Sequence, residues 1–213
     1  MQSDRAREHL EVIRTLMERS AVYRRALAPM SLLAGGVGLV GAGAGWALDL
    51  SAPRTFAGYW LAVGVATGVV ALLLVRRQAL KAQEPFWSPP TRRVIQAAGP
   101  ALLAGLVLGV VAWWRVGAEP LSGVTAVALA AGWLPCGWVI LYGCAVHSAG
   151  FFMPRGIRLF GGILVFLGCL LLLLLPGRPG PRFGWMVMGG VFGALHLAYG
   201  IYLRFTEPRE SAA

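Results

Sequence analysis

Apolar residues run through this chain in long blocks, each close to twenty residues, with short polar stretches between them. A helix needs about 20 apolar residues to cross ~30 Å of hydrocarbon, because every backbone N–H and C=O must be satisfied inside the segment. Six blocks meet that length: 28–48, 57–75, 94–114, 121–146, 157–175 and 183–203. The pattern predicts an all-α polytopic membrane protein with six transmembrane helices. It divides the chain into a polar leader over 1–27, a transmembrane domain over 28–203 and a short tail over 204–213.

The leader has a pattern of its own. "DRAREHLEVIRTLMERSAVYRRAL" contains no Gly or Pro, and Leu10, Ile13, Leu16, Met17 and Ala21 recur at helical spacing. Ser3 or Asp4 can cap its start, and Arg7 with Glu11 and Arg14 with Glu18 stand four apart as weak ion pairs. It reads as an amphipathic helix in the headgroup layer, with Tyr23, Arg24 and Arg25 where the chain turns into the bilayer. Docking of a protein partner on its apolar stripe is the sharper alternative. A cleaved signal peptide is disfavoured, since about 27 residues precede an apolar run longer than the 7 to 15 residues of an h-region.

Composition agrees with the pattern. The chain is 57% hydrophobic and 13% charged, with mean hydropathy +0.68. The net charge of +10 would suit nucleic acid only with a basic face or a recognition motif, and here the arginines sit between apolar runs. They report topology instead. Arg5, Arg7, Arg14, Arg19, Arg24, Arg25, Arg76, Arg77, Lys81, Arg92, Arg93, Arg155, Arg158, Arg204 and Arg209 fall on one side, against Arg54, Arg115, Arg178 and Arg182 on the other. Basic residues are retained in cytoplasmic loops, so both termini are expected to be cytoplasmic. Trp46, Trp60, Trp113, Trp114 and Trp185 fall at the opposite helix ends, where an indole N–H is expected to stay wet.

Glycine, with 29 residues, is placed at helical spacing. Gly41 and Gly45, Gly64 and Gly68, Gly105 and Gly109, and Gly189 and Gly193 are four apart, which lines up grooves where helix backbones can approach. Packing within one chain is the expected use.

The stretch "IRTLMERSAVYRRAL", followed by "SLLAGGVGLVGAG", resembles the start of a group of uncharacterised bacterial six-helix integral membrane proteins, and "YGIYLR" at Tyr199 to Arg204 is consistent with their last helix. The resemblance covers about forty residues. It implies the same topology and a bacterial inner (plasma) membrane, and it brings no activity and no functional residues.

Chemistry is sparse. Carboxylates inside spans mark proton relays and cation-coupled transporters, and none of the nine acidic residues lies well inside one. HExxH, GxSxG and P-loop patterns do not occur. The stretch "GWLPCGWVILYGCAVHSAG" gathers the remaining candidates. Cys136 and Cys144 are eight apart, ~12 Å along a helix and ~80° around it, too far to share an ion. Cys144 and His147 are three apart on one face, an incomplete metal pair. His147 and His196 each precede an arginine by eight residues, which puts two imidazoles at similar depth on helices four and six, as a haem held by two histidines would require. Pro135 leaves the carbonyl of Ala131 without its helical donor, so helix four should kink there. Trp133, Trp138 or water could supply a donor, and Trp133, Pro135 and Trp138 would flank a pocket.

The expected function is that of a non-catalytic membrane component in interaction, assembly or regulation, with no cofactor and no nucleic acid. A small-solute transporter or channel is the second reading. A haem- or metal-binding redox protein using His147 and His196 is the third, and a membrane enzyme is last.

Overall fold

The computed structural model describes residues 27–81, 83, 85–118, 123–153, 155–175, 177 and 179–206. Apart from Leu27, the leader expected over 1–27 lies outside the described residues, as do residues 207–213. Among the described residues there is no strand, and six helices are long and apolar enough to cross a membrane. They are α1 (Leu27–Ala47), α2 (Pro53–Lys81), α3 (Pro89–Ala118), α4 (Gly123–Phe152), α5 (Arg155–Leu173) and α6 (Pro181–Thr206). The apolar blocks anticipated all six. α2 differs most, running beyond the expected 57–75 at both ends, and α6 continues to Thr206 into the expected tail.

Helix ends follow local chemistry. α1 stops in a Schellman arrangement in which Leu50 N donates to Gly45 O (2.9 Å) and Asp49 N to Trp46 O (3.1 Å). Asp49 takes the left-handed conformation this requires (φ 50°), which Asp tolerates better than most residues. Pro53 and Pro181 stand in the first turns of α2 and α6, where a missing N–H costs nothing.

Two antiparallel helix pairs form the centre, and glycines set how closely each approaches. Along α1 and α6, Leu32 meets Gly200, Gly35 meets Leu197, Gly38 meets Gly193, Ala42 meets Gly189 and Gly45 meets Trp185. A β-carbon on Gly38 would stand 2.8 Å from the Gly193 α-carbon, so the backbones touch there. Along α4 and α5, Ile140 meets Gly168, Gly143 meets Leu164 and Val165, His147 meets Gly161, and Gly150 meets Arg158. These glycines are seven apart within each helix, the repeat of a shallow left-handed crossing. The two pairs join where Phe160 and Leu164 of α5, Val139 of α4 and Val187 of α6 share one core.

α3 packs on α4 through Gly105 and Gly109, which face Trp138. Gly41 and Gly45, Gly105 and Gly109, and Gly189 and Gly193 thus pack inside the chain as expected. Gly64 and Gly68 do not. No atom lies within 4 Å of where their β-carbons would be, and they stand on the outer face of α2.

Two of the helices are not α-helical throughout. α4 opens into a π segment over Ala128–Trp133, and α6 into another over Val187–Ala194. In α4 the cause is Pro135. Ahead of it the turn widens so that Leu134 N bonds Leu129 O, five residues back, and the crowding of the ring is spread over the segment. The disturbance anticipated at Ala131 to Pro135 is met by this π segment. Gly184 of α6 covers it: a β-carbon there would lie 2.8 Å from the Ala131 carbonyl oxygen.

Candidate functional site

The most buried polar side chain in the bundle is His196, 2% exposed. Its position depends on the π segment just before it. At the end of that segment Leu195 N donates to Phe192 O, and His196 Nδ1 lies 2.7 Å from the same oxygen. A carbonyl only accepts, so Nδ1 carries the proton and Nε2 of the neutral ring is an acceptor. Tyr142 of α4 fills that role, its hydroxyl donating to Nε2 at 3.0 Å.

Aromatic rings enclose the pair. Phe160 meets the imidazole edge-on at 4.9 Å and stacks on Tyr199 at 4.5 Å, while Phe192 lies against both Tyr142 and the imidazole. The site thus draws on α4, α5 and α6, with one hydrogen bond crossing between helices.

His147 belongs elsewhere. Its Nδ1 donates to Arg158 O of α5 at 3.0 Å and its ring meets Phe151 edge-on. Tyr142 and His147 are five residues apart on α4, ~140° around the axis, so the two imidazoles do not face each other. Both ring nitrogens of His196 are engaged within the chain. An axial ligand through Nε2 would have to displace Tyr142.

Cys144 shares the face of His147, half-buried, and no third ligand joins them: among the described residues no group of three or more His, Cys, Asp or Glu is gathered. Cys136 is buried, Cys169 is exposed, and all three thiols are free.

No protein-family model, no curated protein and no solved structure matches the chain.

The expected pocket at the proline is not formed by its three residues. Trp133 is 55% exposed and points away from the bundle, Pro135 is buried, and Trp138 turns onto α3, where Nε1 donates to Gly105 O at 2.9 Å. Neither indole reaches the Ala131 carbonyl, which Gly184 covers instead.

A second aromatic cluster lies at the other end of the bundle. Phe56, Tyr59 and Trp60 of α2 pack with Trp185 of α6, and the Tyr59 hydroxyl donates to Gly41 O at 2.8 Å. Trp60 and Trp185 are 4% and 3% exposed, and neither indole N–H has a hydrogen-bond partner among the described residues. This corrects their expected place in the wet interface. Gly41 and Gly45 of α1 leave room for the two rings to turn inward. Trp46, Trp113 and Trp114 remain outside.

Tyr142 is the site residue that spacing arguments missed. Its signal was available: a hydroxyl deep in an apolar run needs a partner, and a histidine in another span can provide one.

Proposed function

We propose that this chain is a non-catalytic, multi-pass component of a bacterial inner membrane, with both termini cytoplasmic, whose bundle presents surfaces for assembly with a partner. The observation that carries this reading is where the polar side chains of the spans go. Tyr59, Trp138, His147 and His196 each donate to a backbone carbonyl of the same chain. The first three of these bonds, and the Tyr142 hydroxyl on the second nitrogen of His196, tie helices together, and among the described residues no group of three or more His, Cys, Asp or Glu converges.

The outer surface supports an assembly role. In their most apolar stretches α2 and α3 bury only 6% and 11% of residues, against 44% for α4, so both helices keep a broad outer face available. The leader over 1–27 is a second proposed docking element. The test is photo-crosslinking in intact cells from probes at Val69 and Leu106, with and without residues 1–25. Discrete protein adducts support the reading. Lipid adducts alone at both positions, with a complex pattern unchanged by the deletion, would overturn it.

The paired π segments favour a small-solute transporter as the second reading. Wide turns are common at functional sites, and irregular backbone inside spans is how many transporters build theirs. Solute flux above that of empty vesicles, lost on substitution in either π segment, would establish it in place of the first.

A further inference from the structure

The first turns of α3 hold an open cavity of about 340 Å³, lined by Trp87, Pro89, Arg92, Arg93 and Gln96. That volume lies in the range of small-ligand sites. Four of its five residues carry side-chain donors, and helical geometry gathers the three on α3. Taking Arg92 as the origin, Gln96 lies ~40° and Arg93 ~100° around the axis, so both guanidinium groups and the amide occupy one wedge.

The backbone supplies little here. Pro89 and Pro90 have no N–H, Arg92 N donates to Ser88 O at 3.0 Å, and the Ser88 and Thr91 hydroxyls bond each other at 2.9 Å. Recognition therefore falls to side chains, of which the two guanidinium groups and the Trp87 indole only donate and the Gln96 amide can donate as well as accept. Glu84 is the sole acidic residue between Leu50 and Ala118, while Arg76, Arg77 and Lys81 stand exposed at the adjoining end of α2. Guanidinium pairs bind phosphate oxygens through parallel N–H bonds, and the positive end of the α3 dipole adds to the attraction.

What continues above the wedge tells one phosphate source from another. Along the same face follow Pro100, Leu103 and Val107, all exposed, the last two by 61% and 51%. The membrane-length stretch of α3 begins at Thr91, so the cavity stands where headgroups meet hydrocarbon, and Trp87, 61% exposed, is the residue type that settles at that level. A cationic recess opening onto an apolar strip fits an amphipathic anion.

We propose that the cavity formed by Trp87, Arg92, Arg93 and Gln96 binds the phosphate-bearing headgroup of an anionic phospholipid, whose acyl chain lies along Leu103 and Val107. The assignment rests on the membrane-spanning part of the proposed function and is independent of the assembly role. Basic recesses at the cytoplasmic ends of spans are suited to such lipids.

The test uses the full chain in detergent, titrated with fluorescent phosphatidylglycerol and, separately, phosphatidylcholine. Saturable binding of the first, at least about tenfold tighter than the second, is expected, with a loss of about tenfold or more in R92Q/R93Q. R76Q/R77Q, which removes as much charge outside the cavity, should stay within about threefold. Q96L and the charge-preserving R92K/R93K, expected to weaken binding by a smaller factor, keep the test decisive if the double variant fails to fold. Equal loss in R76Q/R77Q and R92Q/R93Q, or no loss in either, would overturn the site. Full competition by millimolar glycerol phosphate would overturn the lipid assignment in favour of a soluble phosphate. Release of the chain from membranes by carbonate would sink the membrane reading itself.

Discussion

Tyr142 and His196, on α4 and α6, join by a hydroxyl-to-imidazole hydrogen bond of 3.0 Å, with the imidazole buried. The bond has a fixed direction, because the other ring nitrogen must donate to the Phe192 carbonyl. Tyr142→Phe removes the donor and leaves Nε2 an unpaired buried acceptor. The expected cost is about 1 kcal/mol, since hydrogen bonds between membrane helices average ~0.6 and reach ~1.7. A double-mutant cycle with His196→Leu, read by reversible unfolding in mixed micelles, should give a coupling energy of that size. Strict additivity of the two substitutions would show that the contact contributes nothing.

The glycines separate into two groups whose substitutions should differ in sign. A β-carbon on Gly161 would enter the His147 backbone and stand 2.8 Å from Gly143 O, whereas at Gly64 and Gly68 it meets nothing within 4 Å. Gly161→Ala is expected to destabilise by about 1–3 kcal/mol, the cost of forcing packed backbones apart. Gly64→Ala and Gly68→Ala should be neutral or slightly stabilising, since alanine is the better helix former. Thermal denaturation of the three variants under one set of detergent conditions checks the contrast. A lower midpoint for the α2 variants would mean that their face is occupied.

Apolar block length was enough to place all six helices, because the hydrocarbon constraint acts on each segment alone. Residues that meet across the bundle were harder to read. Four-residue spacing picked out Gly41, Gly45, Gly105, Gly109, Gly189 and Gly193, yet the α4–α5 pair is built on Gly143 and Gly150 against Gly161 and Gly168, seven apart. That repeat was visible but belongs to a shallower crossing than the one sought. Level depth pairs His147 with His196, but depth carries no angle: His196 follows directly on the π segment in α6, which glycine-rich sequence does not announce. Pro135 did announce a disturbance. It takes the form of a π segment whose Ala131 carbonyl lies against Gly184 of another helix, a neighbour that no local reading contains.

The buried indoles offer an optical check. Trp60 and Trp185 lie inside the aromatic cluster of α2 and α6, while Trp87 is 61% exposed. Difference emission spectra should show Trp185→Phe removing intensity at the blue edge, insensitive to acrylamide, and Trp87→Phe removing red-shifted, quenchable intensity. A quenchable, red-shifted contribution from Trp185 would place that residue in the wet interface and refute the packed cluster.

Orientation across the membrane rests on the asymmetry of arginine and lysine, and two exposed loop positions can test it. Ala52 lies between α1 and α2, and Gln83 between α2 and α3, so a chain crossing the bilayer puts them on opposite sides. The positive-inside rule assigns Gln83, beside Lys81, Arg92 and Arg93, to the cytoplasm. Cys136, Cys144 and Cys169 are free thiols and would first be replaced by serine or alanine. In intact cells an impermeant maleimide should then label Ala52→Cys and leave Gln83→Cys unmodified until the membrane is opened. The reverse pattern would place both termini outside, and with them the cationic cavity of α3. Labelling of both positions in sealed cells would mean that α2 does not cross at all.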